Sequence, residues 1–198
     1  MSETIDPTKT PDEIVEDIEA AEEAKDIAQV VAYIELVASN EIAGEDDWAE
    51  AAEATLDAFY RLVKGGPTLD KALVYLKAVF DCLNAWEEEE AIVEVGLGCM
   101  VAICSKADQS SQDEDDIPIP VEFVLDLMKD FGDESTIQEQ ACLAIEGLAL
   151  WSQSWKDELA SAEGIREELT AAKNDRITNE RNKKYPIQAA KALGIELE

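Results

Sequence analysis

The sequence contains no histidine. That absence removes the commonest general base, the commonest metal ligand and the side chain that titrates near neutral pH. Ser–His and Cys–His catalysis are therefore excluded. Glycine and proline are scarce, 9 and 6 in 198 residues, below what a disordered chain carries. Alternating stretches of Val, Ile and Thr bounded by turn residues are few, which argues against a sheet. No run approaches the roughly 20 apolar residues of a membrane span. The start, MSETIDPTKT, lacks a basic region followed by an apolar run, so no signal peptide is expected. The four cysteines, Cys82, Cys99, Cys104 and Cys142, form no CxxC pair, which disfavours a zinc site. Each sits in an apolar helical stretch, such as GLGCMVAIC around Cys99, and reads as a buried, reduced thiol acting as a small hydrophobe. Together these features point to a reducing, intracellular compartment, cytoplasmic or nuclear.

What is abundant is acid and helix-forming side chain. Asp and Glu number 46 against 16 Lys and Arg, a formal charge of −30. Such a field repels nucleic acid and anionic membranes, which bind through cations, and it speeds encounter with basic partners. The same acidity also keeps a protein soluble, and composition alone leaves both readings open. Hydrophobic residues make up 46%, enough for a substantial core, and Ala, Glu, Leu, Lys and Gln dominate the remainder.

The helical segments repeat. WAEAAEATLDAFY from Trp48, IVEVGLGCMVAIC from Ile92 and IQEQACLAIEGLA from Ile137 begin 44 and then 45 residues apart. Small residues coincide at Ala52, Gly96 and Ala141, and large apolar ones at Leu56, Met100 and Ile145 and again at Phe59, Ile103 and Leu148. A truncated copy, IQAAKALGI, begins at Ile187. A second set of shorter helices opens at Val30, Leu76, Val121 and Ile165 with nearly the same rhythm, 46, 45 and 44 residues apart. Two sets of positions with one period predict a unit of short helix, turn and longer amphipathic helix. Such a unit cannot bury its apolar face alone, so neighbouring units must stack.

Turns separate these helices. NEIAGEDD (Asn40 to Asp47), WEEEE (Trp86 to Glu90) and DFGDES (Asp130 to Ser135) lie between members of a pair, Gly65, Gly66 and Pro67 stop the helix ending near Lys64, and Pro118 and Pro120 precede Val121. Pro186 sits where the last helix should begin, a position proline tolerates. Residues 11 to about 39 read as one or two amphipathic helices covering the N-terminal end. Residues 1–10, the acidic SKADQSSQDEDD from Ser105 to Asp116, and Lys173 to Lys184 read as exposed. The last of these is a basic cluster of Lys173, Arg176, Arg181, Lys183 and Lys184 on an acidic protein.

IQEQACLAIEGLA followed by WKDELASAEGIREELTAAK, with Gly164–Ile165 opening the next helix, resembles an armadillo repeat; the period also suits the similar HEAT family. The resemblance is clear over Ser135 to Lys173, fainter over Ala43 to Met128 and weak before residue 40. It implies a right-handed α-solenoid whose third helices line a concave, peptide-holding groove. It also implies a Trp and an Asn gripping the peptide in nuclear-import members. Here the Trp position falls on Ala54, Gly98 and Leu143 and the Asn position on Ala58, Ala102 and Gly147. That clamp is therefore absent. Four residues before each Trp position stands a glutamate: Glu50, Glu94 and Glu139, with Asp57 and Glu146 nearby. In a solenoid these would form a row at the roughly 10 Å spacing of packed helices, a surface that selects Lys/Arg-rich segments. Trp151 and Trp155, four apart, would share a helix face. Burial against the next unit and an aromatic anchor for a partner are both open for them.

Other motifs carry less. The triplet Asp130–Gly132 lacks every companion of the kinase magnesium motif and reads as a helix-ending turn. The Asp108–Asp116 acids lack the glycine and closing Glu of an EF-hand. Gly65–Gly66 has no phosphate-binding continuation, and no carboxylate pair is marked out for acid–base work. The expectation is an all-α, right-handed α-solenoid of three to four armadillo-like repeats with an N-terminal helical cap. Residues 1–10 form a polar tail. One repeat domain covers 11–198, with the cap at 11–42, repeats at 43–91, 92–136 and 137–186, and a truncated last helix at 187–198. The expected function is non-catalytic: a protein-interaction scaffold holding a basic segment along the acidic groove. The alternatives are a structural subunit using its solenoid ends, or an acidic, chaperone-like shield for a basic client. No metal, cofactor, nucleic acid, membrane insertion or small-molecule ligand is expected.

Overall fold

Helix α1, Pro11–Ala24, shows how local chemistry sets a boundary. Thr10 and Glu13 form a reciprocal capping box with Pro11 in the first turn, and Lys25 closes the helix in the left-handed conformation; each device satisfies backbone groups that helix ends leave unpaired. A computed structural model describes residues 5, 6, 8–39, 46–107 and 119–197. Among these residues the chain is all-helical. After α1 come α2 (Ile27–Ser39), α3 (Asp46–Gly65), α4 (Ala72–Ala85), α5 (Glu90–Lys106), α6 (Phe123–Asp130), α7 (Ser135–Trp151), α8 (Gln153–Ser161), α9 (Ile165–Ala171), a π-helical turn (Ala172–Arg176) and α10 (Lys184–Leu193). The only strand-like pairing among them is an isolated bridge between Leu69 and Ala107. The acidic Asp108–Asp116 stretch, Pro118, most of the expected Asn40–Asp47 turn and half of the expected polar tail lie outside the described residues.

The helices divide into two units, residues 1–112 and 113–198. In the first, α3 packs along α5, α2 along α4, α4 against α5, and α1 across α2 and α3. The buried face of α5 comprises Ile92, Val93, Gly96, Leu97, Cys99, Met100 and Ile103, the three- and four-residue spacing of an amphipathic stripe. Phe59 of α3 meets Tyr75 of α4 edge to face, centroids 5.9 Å apart, and the Trp86 indole N–H donates to the Val37 carbonyl at 3.4 Å. Leu69 N–H donates to the Lys106 carbonyl at 2.8 Å, holding the 66–71 connection against the end of α5.

In the second unit α7 packs on α6, α8 and α10, and α9 on α6 and α10. Gly164 stands at φ 88° before α9, a backbone state that side-chain-bearing residues avoid, so the Gly164–Ile165 boundary is real. Two features depart from the period-based reading. Ser152 is extended and separates α7 from α8, its hydroxyl accepting from the Trp155 N–H at 3.3 Å. The last helix starts at Lys184, with Pro186 inside its first turn, because the first turn needs no proline N–H.

Asp17 of α1 ties the N-terminal strap to the first unit: its carboxylate accepts from the Lys9 ammonium and the Tyr33 hydroxyl. The bond from Lys9, then that from Tyr33, holds the Asp17 carboxyl below its ordinary value of 3.8. A carboxyl depressed by folding stabilises the native state above its unfolded value and loses that contribution as pH falls through the native one. Asp17→Asn is accordingly expected to lower urea stability at about pH 7, with the gap to wild type closing as pH falls below the ordinary value of 3.8. A gap independent of pH would show that the Asp17 charge contributes nothing.

Candidate functional site

The five acidic positions singled out by the repeat fall in two places. In the first unit Glu50 on α3 and Glu94 on α5 are both exposed, 44 residues apart on two helices that pack together. One turn after each glutamate stands a small, half-buried residue, Ala54 and Gly98, and a methyl added at Gly98 would lie 3.7 Å from the Tyr60 ring. The Lys64 ammonium donates to the Tyr60 hydroxyl at 2.9 Å and lies 4.9 Å from its ring centre. Asp57 is half-buried and already engaged, accepting from Arg61. Arg61 also donates to both Glu22 oxygens, at 2.7 and 2.8 Å. This fork joins α3 to α1 and holds the Glu22 carboxyl below its usual range. Asp57 thus belongs to a structural clamp, which sequence reading missed because Glu22 and Arg61 are 39 residues apart.

In the second unit Glu139 is half-buried and accepts from the Asn182 amide at 2.8 Å, while Glu146 is half-buried on the same helix. Trp151 and Trp155 are buried, 7% and 6% exposed, and meet edge to face with centroids 5.5 Å apart. An anchor for a partner needs an open ring face, and within this chain neither indole offers one; burial is where the structure places both.

The basic cluster at 173–184 is divided. Arg176, delivered by the π-helical turn, points inward, donating to the Met128 carbonyl at 3.2 Å, the Gln138 side-chain oxygen at 3.4 Å and the Glu168 carboxylate. Buried Gln138 donates to the Met128 and Phe131 carbonyls at 2.8 and 3.0 Å. These two side chains donate to carbonyls at the end of α6 and in the turn after it, and place a cation at the negative pole of the helix. Phe131–Asp133 form the turn after α6, so the Asp130–Gly132 triplet is a helix-ending turn as read. Lys183 pairs with Glu180 at 2.8 Å.

All four cysteines are free, and burial pushes their thiols up, Cys82 to about 12, which suppresses thiolate chemistry. Among the described residues no group of three His, Cys, Asp or Glu is placed to hold a metal ion, and no helix is long and apolar enough to cross a membrane. No family model matches the chain, and no significant match to a curated protein or a solved structure was found.

Proposed function

We propose that the protein is a non-catalytic binding scaffold of the armadillo or HEAT kind, acting inside the cell, which holds a basic segment of a partner protein against the first unit. The observation that carries this reading is the pairing of α3 with α5, which leaves Glu50 and Glu94 exposed at corresponding positions of the two helices, each followed one turn on by a small, half-buried residue, Ala54 or Gly98. Side-by-side packing of like helices supports a solenoid in each unit: α2 on α4 and α3 on α5 in one, α6 on α9 and α7 on α10 in the other. The first unit also carries the larger charge imbalance, 26 Asp and Glu against 7 Lys and Arg, a formal −19. Exposed carboxylates on neighbouring helices attract ammonium and guanidinium groups at long range and then select their spacing at contact.

The test uses a short labelled oligo-lysine peptide and fluorescence anisotropy. Glu50→Gln combined with Glu94→Gln is expected to weaken binding about five- to tenfold, at about 0.5 kcal/mol or more per exposed ion pair, and to flatten its salt dependence. Glu19→Gln with Glu23→Gln, the same charge change on exposed positions of α1, is expected to weaken it far less. Equal losses in the two variants would reduce the binding to bulk charge and sink the groove.

A further inference from the structure

Two glycines lie inside α5, and glycine weakens a helix relative to alanine. Gly96 has a packing reason: it is buried, and a methyl there would overlap the Leu83 side chain of α4. Gly98 has no such reason. It is half-buried, and the atoms nearest to an added methyl are Cε2 and Cδ2 of the Tyr60 ring at 3.7 and 3.8 Å, an ordinary van der Waals distance. What the missing side chain leaves open is the space beside that ring.

The ring already carries a cation. The Lys64 ammonium lies 4.9 Å from its centre and donates to its hydroxyl at 2.9 Å, within the reach at which an aromatic face attracts positive charge. The contact joins residues four apart on one helix, and Lys64 is exposed, so it is weak and readily exchanged. Lys64 also stands in the last turn of α3, where the helix end favours a cation even when it is off the ring. One turn before Gly98, about 6 Å along the axis, is the exposed Glu94. An aromatic ring and a carboxylate, on two helices that pack together, thus border the space that Gly98 leaves.

We infer that Tyr60, Gly98 and Glu94 form a seat for one arginine of the basic segment, whose guanidinium replaces the Lys64 ammonium on the ring and pairs with Glu94. This seat rests on the basic-segment reading of the first unit and names the residue that the surface selects. Arginine fits it better than lysine does. A guanidinium is planar, stacks on an aromatic face, donates to a carboxylate through a fork and is more weakly hydrated, whereas an ammonium is a compact, strongly hydrated charge. Lys64 is then a competitor built into the chain. It holds the ring until a better-matched cation displaces it, and its charge opposes the arrival of that cation.

Oligo-arginine and oligo-lysine peptides of equal length, compared by fluorescence anisotropy on the full chain, test the seat. The wild type is expected to bind the arginine peptide about three- to fivefold more tightly. Tyr60→Leu should abolish that preference, and Tyr60→Phe, which keeps the ring, should retain it. Gly98→Ala should weaken the arginine peptide about two- to threefold while raising the thermal midpoint, a combination that a folding defect cannot produce. Lys64→Gln should tighten the arginine peptide by more than Lys71→Gln, the same charge change at an exposed position before α4, and should lose that advantage in the Tyr60→Leu background. Equal affinity of the wild type for the two peptides overturns the seat, and so does a preference that survives Tyr60→Leu. Either result leaves the dependence of oligo-lysine binding on Glu50 and Glu94 standing, so the seat and the surface fail separately.

Discussion

Trp155→Ala is expected to destabilise the second unit by about 3–5 kcal/mol, the range for emptying a buried indole site. Trp155 is 6% exposed, in the first turn of α8, and its ring meets the edge of Trp151 with an interplanar angle of 71°. Aromatic pairs in this arrangement contribute about 0.5–1.5 kcal/mol beyond area burial, so the loss includes a term that no aliphatic replacement restores. α8 packs against α7, α9 and α10, so a cavity here is shared by several helices. For a unit of this size the thermal midpoint should fall by at least about 12 °C, followed by circular dichroism. Trp155→Phe should recover the greater part of the loss because it keeps an edge for Trp151. A Trp155→Ala midpoint within a degree or two of wild type would show that the indole is not part of a packed interior, and would return the two tryptophans to the partner surface.

The tryptophan pair also shows how sequence spacing reaches a right neighbour by a wrong route. A separation of four residues implies a shared face only on a continuous helix. The helix is broken between them, at Ser152, and the rings meet because the break turns α8 back beside the end of α7. The signal was present in a serine three residues before a position whose N–H needs a cap, but the apolar period ran through it unbroken and concealed it. Period-based reading succeeded where small and large residues alternate along a buried stripe, as in α5 and α7, because that pattern is the packing surface itself. It failed where polar side chains find partners far along the chain. Arg61 reaches Glu22, Arg176 reaches Met128 and Glu139 receives Asn182, and the identity of such partners depends on tertiary approach that composition does not encode. Of the acidic row, Glu50 and Glu94 retain the exposure it requires, whereas Asp57 and Glu139 are engaged within the chain. The Lys173–Lys184 cluster was visible as charge, yet its division into an inward Arg176 and an outward Lys184 follows from the π-helical turn.

The same logic gives opposite signs to one substitution at two glycines of α5. Glycine inside a helix ordinarily costs about 0.5–1 kcal/mol relative to alanine, so alanine should stabilise both positions unless something occupies the space of the new methyl. At Gly98 the nearest atoms are those of the Tyr60 ring at 3.7 and 3.8 Å, an ordinary van der Waals distance. Gly98→Ala is therefore expected to raise stability by up to about 1 kcal/mol. At Gly96 the methyl would stand 2.4 Å from Leu83 Cδ2 and 2.8 Å from Cγ. Leu83 is fully buried and cannot swing into solvent, so either its rotamer or the α4–α5 spacing must change. Overpacking of this kind costs about 1–3 kcal/mol and occasionally more, and the overlap here involves the branch carbon as well as a methyl. The net effect of Gly96→Ala is expected at about 2 kcal/mol destabilising or beyond, even after the propensity gain. A double-mutant cycle checks the cause. Leu83→Ala alone should cost about 2–5 kcal/mol. Added to Leu83→Ala, Gly96→Ala should lose its penalty and become neutral or stabilising, a coupling of about 2–3 kcal/mol between the two sites. Additive effects would refute the steric account, and a rise in thermal midpoint for Gly96→Ala alone would mean that α4 and α5 do not approach as closely as Leu83 and Gly96 require.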